Sequence, residues 1–179
     1  LGVFCVLLAT NKISFKSNNS SQSSNANEQI DDKIVSTDKL NDSLKDTILF
    51  SIKDENLESG NSKSLIAFNN SGNETIIYNF LNYNRDVQDV KYYYDSENGL
   101  IYLTINSYEK NNHREENQKF EIGTISLSSN DYKLNILTEV KVERDYFDKI
   151  GADSITKVGD YIYFANSQLY KMDLNSFIS

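Results

Sequence analysis

Apolar residues recur along this chain in short β-branched or aromatic runs separated by polar turn residues. The first group is Thr47-Ile48-Leu49-Phe50-Ser51-Ile52, Ser64-Leu65-Ile66-Ala67-Phe68 and Glu74-Thr75-Ile76-Ile77-Tyr78-Asn79-Phe80. Such composition and spacing predict three strands. Ahead of them, Ile34-Val35 suggests a first strand and residues 40–45 a helical turn. A second group has runs at 89–94, 100–108, 120–127 and 132–137, which predict four antiparallel strands in succession. Between the first two stands Asn98-Gly99, the preferred pair of a type I′ hairpin, in which both central residues need φ > 0. The insert 109–119 is charged, carries the only histidine, and is expected to form a long exposed loop. A third group, at 154–158, 161–165 and 169–174, has no fourth run.

Two of these groups share a motif. Asn98-Gly99-Leu100-Ile101-Tyr102-Leu103-Thr104-Ile105 leads to Ile122-Gly123-Thr124-Ile125-Ser126-Leu127, and Gly159-Asp160-Tyr161-Ile162-Tyr163-Phe164-Ala165 leads to Gln168-Leu169-Tyr170-Lys171-Met172-Asp173-Leu174. Ile101 and Ile162 fall at equivalent places, and Tyr102 and Tyr161, each following a turn, are expected to correspond. Alternation puts Ile101 and Leu103 on one face and Tyr102 and Thr104 on the other, while Ile162 and Phe164 oppose Tyr161 and Tyr163. A repeat of strand meanders predicts an all-β fold of antiparallel four-stranded β-propeller blades, whose usual period is roughly 40 to 50 residues. Blades are expected near 30–82, 87–140 and 146–179, the last incomplete, which is fewer than the four to eight that close a ring. Either the sequence is part of a longer propeller or the sheets remain open.

The string Val158-Gly159-Asp160-Tyr161-Ile162-Tyr163-Phe164-Ala165-Asn166-Ser167-Gln168-Leu169-Tyr170-Lys171-Met172-Asp173-Leu174 resembles the blade signature of bacterial extracytoplasmic β-propellers of the lipoprotein-receptor-like class. Residues 98–104 repeat it more weakly, with Asn-Gly in place of Gly-Asp. The resemblance spans about the last half of the chain. It implies the propeller fold and a binding tendency, and it brings no catalytic residues with it.

Residues 1–10 form an uncharged apolar run, read as the remnant of a signal peptide or membrane anchor because it is too short to span a bilayer. Cys5 invites a lipid-anchor reading, but Phe4 stands where a small residue is expected, and Leu7-Leu8-Ala9 is a poor cleavage site. Residues 11–29 are rich in Ser and Asn and are expected to be a disordered tether, since they bury too little apolar surface to offset their ordering entropy. The folded domain is then 30–179. With the one cysteine in the leader, export needs no disulfide. The expected location is extracytoplasmic, secreted or anchored at the cell membrane.

Charge narrows the partners. Eighteen basic against 26 acidic residues give a net charge of −8, which opposes binding to nucleic-acid phosphates or anionic lipid. No nucleic acid is expected, and membrane contact only through the N-terminal segment. Hydrophobic residues make up 39%, but 12 Tyr and 9 Phe supply large side chains for a β-rich core.

Candidate chemistry is sparse. Asp95-Ser96-Glu97-Asn98-Gly99 has the oxygen ligands of a calcium loop without the downstream bidentate Glu, and the turn explains its Asn-Gly. Asp145, Asp148 and Asp153 are spaced to gather round a cation, although acidic loop residues are usually solvated. His113 has carboxylate neighbours, yet a charged loop offers a base no rigid support, so a surface histidine is expected. Sequons at Asn18, Asn19, Asn41, Asn69 and Asn73 arise by chance in a chain this rich in Asn and Ser. No catalytic, cofactor or metal residues are therefore assigned. The sequence reads as a non-catalytic binding or scaffold module for a protein, peptide or glycan. The alternatives are a fragment of a propeller enzyme whose site lies beyond Ser179, or the sensor ectodomain of a membrane protein.

Overall fold

The computed structural model describes residues 39–57, 60–140, 151–166 and 168–177. The apolar run 1–10, the Ser/Asn-rich segment 11–29, Ile34-Val35, Asp145 and Asp148 lie outside them. The described residues are all-β, with antiparallel sheets of three or four strands.

The first sheet comprises β1 (Thr47–Leu57), β2 (Gly60–Asn69) and β3 (Glu74–Asn79), in that order. It has three described strands where four were expected. The second sheet has the expected four, β4 (Arg85–Asp95), β5 (Leu100–Glu109), β6 (Lys119–Ser126) and β7 (Leu134–Glu139), as a simple meander. The third comprises β8 (Ser154–Val158), β9 (Tyr161–Asn166) and β10 (Gln168–Asp173). The helical turn expected at 40–45 is a short 3₁₀ turn, Asp42–Leu44, capped by the Asn41 side chain accepting from Ser43 N. Asn41 Nδ2 also donates to Leu127 O, Ser129 O and the Tyr132 hydroxyl, which ties this turn to the β6–β7 connection.

The second sheet is buried on both faces, and alternation along β5 explains how. Ile101, Leu103 and Ile105 point to one side and pack with Phe50, Leu65, Ala67 and Ile77 of the first sheet. Tyr102 points to the other side and packs with Phe120, Ile122, Ile155, Ile162 and Phe164 in a second core shared with the third sheet. Phe50 meets Tyr94 across the first interface with ring centroids 4.8 Å apart, and Phe120 meets Phe164 across the second at 5.4 Å. Gly123 permits close approach within the sheet: a Cβ there would stand 3.0 Å from Leu134 Cδ1 and 3.1 Å from Asn135 O.

Two expectations about the turns are corrected. Asp95 pairs with Leu100, so the β4–β5 connection is a four-residue loop rather than a two-residue type I′ turn. Gly99 alone takes positive φ, at +61°; Asn98 instead donates from Nδ2 to Asp95 Oδ2 at 2.8 Å. The β8–β9 connection is the tight one, with Gly159 at φ +57° in its first central position as a type II′ turn requires. Because the loops differ in length, Tyr161 corresponds to Leu100, not to Tyr102. Ile101 pairs with Tyr94 and Ile162 with Lys157, each one step in from the end of its hairpin, so these isoleucines are equivalent as expected.

Candidate functional site

A cleft of about 820 Å³ opens beside the first two sheets. Its walls come from Lys63 near the start of β2, Leu81 in the 3₁₀ turn Phe80–Asn82, residues 85–88 at the start of β4, and Lys110 and His113 in the insert after β5. The register of the β4–β5 hairpin brings the start of β4 and the insert together, and the β2–β3 register sets Lys63 beside Leu81. Arg85 pairs with Glu109 and Asp86 with Tyr108, so the start of β4 lies directly beneath the insert.

The insert is more ordered than a free charged loop. Asn112 N donates to Glu109 O at 3.0 Å, Asn111 takes φ +60°, and residues 115–117 form a 3₁₀ turn. His113 Nε2 lies 2.7 Å from Asp86 Oδ2, which also accepts from Asn111 N at 3.1 Å. The Tyr108 ring is 5.4 Å from the imidazole. His113 thus stands at the surface as expected, 56% exposed, but it has the rigid partner the sequence did not reveal. The His113 hydrogen bond, helped by Asn111 N and the Lys110 charge, holds the Asp86 carboxyl below its ordinary value against burial, which pushes it up.

Arg85 is held more firmly still. Its Nε donates to Ser107 Oγ at 3.0 Å, and its Nη2 donates to the carbonyls of Ser107 and Asn117. All three acceptors are uncharged, so the guanidinium keeps its full charge at the cleft wall. Lys63 is different, since its Nζ pairs with Asp54 on β1.

The other sequence candidates fall elsewhere. Asp95 is buried between the second and third sheets, where Lys157 Nζ lies 3.1 Å from Oδ2 and Glu97 N donates to Oδ1 at 3.2 Å. Its oxygens are committed to a lysine and to the turn. Asp153 is exposed and flanks a smaller groove of about 390 Å³ where β1, β4 and β8 come together, lined by Ile52, Val90, Tyr92 and Ile155 as well. Among the described residues no group of three or more His, Cys, Asp or Glu is placed to hold a metal ion, and no helix is long and apolar enough to cross a membrane. The Asn41 amide is occupied by the contacts that fix the 3₁₀ turn.

Sequence reasoning missed Lys63, Leu81, Arg85 and Lys110 as a group. The β4–β5 register, with its irregularity between Val87 and Asp89, joins Arg85 to Lys110, the β2–β3 register joins Lys63 to Leu81, and packing of β2 against β4 brings the two pairs together. No protein family, curated protein or solved structure matches the chain.

Proposed function

We propose that the chain is a non-catalytic binding or scaffold module of β-propeller type, held outside the cytoplasmic membrane and recognising a protein, peptide or glycan. The observation that carries the binding reading is the cleft, in which Arg85 and Asp86 on β4 and His113 in the insert are fixed by hydrogen bonds before any ligand arrives. Preorganisation of this kind lowers the ordering cost of association. His113 with Asp86, and Lys63 with Asp54, are paired side chain to side chain, an arrangement suited to presenting a shaped surface.

Support for the propeller comes from the order of packing. The first strands of successive sheets are neighbours: β4 lies against β1 on one side and β8 on the other. Sheets stacked face to face with their first strands adjacent is the arrangement of blades about an axis. The extracytoplasmic placement draws on the apolar run 1–10 and the polar segment that follows. Arrays of peptides and glycans probed with the labelled chain test the binding reading. Ligands retained by the parent chain and lost by Leu81→Arg support it; ligands indifferent to that change, or silent arrays, count against it. Reading the open reading frame on either side for further copies of the Gly-Asp-Tyr-Ile-Tyr signature tests the propeller, and a hydrolase or lyase motif there would favour the enzyme alternative.

A further inference from the structure

We infer that the cleft beside the first two sheets takes an acidic peptide segment, with a carboxylate side chain held between Arg85 and Lys110 and an aliphatic neighbour against Leu81. This rests on the binding reading above and names its ligand class. The chain as a whole is acidic, at −8, so a cationic cleft runs against the average of its surface. Among the described residues no carboxylate lies in ion-pair contact with Arg85 or Lys110, whereas Lys63 pairs with Asp54 and the Asp86 carboxylate is engaged by His113 Nε2 and Asn111 N. Arg85 uses Nε and Nη2 on neutral acceptors and leaves the two N–H groups of Nη1 without an acceptor among the described residues. A guanidinium fixed through its other nitrogens loses little freedom on gaining a carboxylate, and its planar donors suit that group.

Two features favour a peptide over an acidic glycan. Leu81 is 47% exposed at the cleft, an aliphatic surface suited to an aliphatic side chain. In addition β4 is the edge strand of its sheet, pairing with β5 alone among the described residues, and its first residues, 85–88, line the cleft, where an extended chain could lie alongside them.

The test is a titration of the ¹⁵N-labelled full chain, followed by amide resonances, with four separate probes. These are the blocked peptide Glu-Leu-Glu-Leu-Glu, its Gln-Leu-Gln-Leu-Gln counterpart, oligogalacturonate and inorganic phosphate. The acidic peptide should shift the amides of Leu81, Gln88, Lys110 and Asn111 saturably, and the glutamine peptide should bind at least about tenfold more weakly, the equivalent of 1.4 kcal/mol. Lys110→Glu, an exposed change that leaves the thermal midpoint in place, should weaken the acidic peptide by about tenfold or more through like-charge repulsion. Equal response to both peptides would overturn the anionic class while leaving the cleft a binding site. Tighter binding of oligogalacturonate or phosphate at the same amides would overturn the peptide. No cleft shift with any probe would overturn the inference, and array ligands seated on another surface would then show that the binding reading survives without it.

Discussion

Asp95 and Lys157 show what a single pair contributes when two sheets close over it. Their side chains are 5% and 15% exposed, so the charges are shielded from water and must satisfy each other. Burial pushes the Asp95 carboxyl up, but Asn98 Nδ2, the Lys157 ammonium and Glu97 N together outweigh it and the group ends below its ordinary value of 3.8. For Lys157 burial lowers and Asp95 raises, and the net shift is upward from 10.5. A depressed carboxyl stabilises the fold above its unfolded value and loses that contribution as pH falls through the folded one; a raised lysine does so below its unfolded value and loses it as pH rises. Stability measured by urea denaturation should therefore fall off below about pH 4 and again above about pH 10.5. In Asp95→Asn, which leaves Lys157 buried without its carboxylate, the unfolding free energy at pH 7 should drop by about 3 kcal/mol and the acid limb should flatten. An unchanged acid limb would mean that other carboxylates govern it. His113→Ala should cost less than about 1 kcal/mol, because an exposed pair gains little over solvent. Neither partnership was legible from spacing. Asp95 read as part of a calcium-like loop and His113 as unsupported because their partners lie far off in the chain: Lys157 meets Asp95 only through packing of the third sheet on the second, and Asp86 meets His113 only through the β4–β5 register.

The elements were far more legible, since a strand announces itself through its own residues. Alternation and β-branching located all ten described strands to within a few residues, including the faces to which Ile101, Leu103, Ile162 and Phe164 point. What the pattern did not reveal was loop length, and through it register. Asn98-Gly99 has the composition of a two-residue turn but sits at the end of a four-residue loop, because Asp95 draws the Asn98 amide into a local hydrogen bond. The cleft depends on that register and was hidden with it. Gly99 and Gly159 separate the two costs a turn glycine avoids. Both have positive φ, so alanine at either place meets backbone strain of roughly 1 kcal/mol. At Gly159 nothing lies within 4 Å of a new Cβ, whereas at Gly99 it would stand 2.7 Å from Lys39 O and 2.8 Å from Lys39 Cβ. Gly159→Ala should then lose about 1 kcal/mol and Gly99→Ala at least about 2, by equilibrium denaturation of each. Equal losses would show that the segment at Lys39 yields freely.

At the scale of the whole molecule, the second sheet shares one core with the first sheet and another with the third. Its strand β5 alternates between the two cores, with Leu103 in one and Tyr102 in the other, both buried. Loss of either neighbouring sheet would expose half of that strand, so neither core can open without weakening the other. The outer faces differ: Val158 and Leu169 on the third sheet are 55% and 64% exposed, and Ile48 and Ile76 on the first are comparably open. Coupling is therefore expected inside the stack. Leu103→Ala probes the first interface and Ile162→Ala the second; both positions are 0% exposed, and each truncation should cost roughly 2 to 5 kcal/mol. If the stack unfolds as a unit, each variant shifts one common urea transition, with the slope unchanged and circular dichroism coincident with tyrosine fluorescence. The double variant should lose the sum to within about 0.5 kcal/mol, since the two side chains lie in separate cores. A result in which Ile162→Ala moves a minor early transition and leaves the main one in place would show that the third sheet folds by itself. The reading of these sheets as successive blades, which relies on both faces of the second being buried together, would then lose its energetic basis.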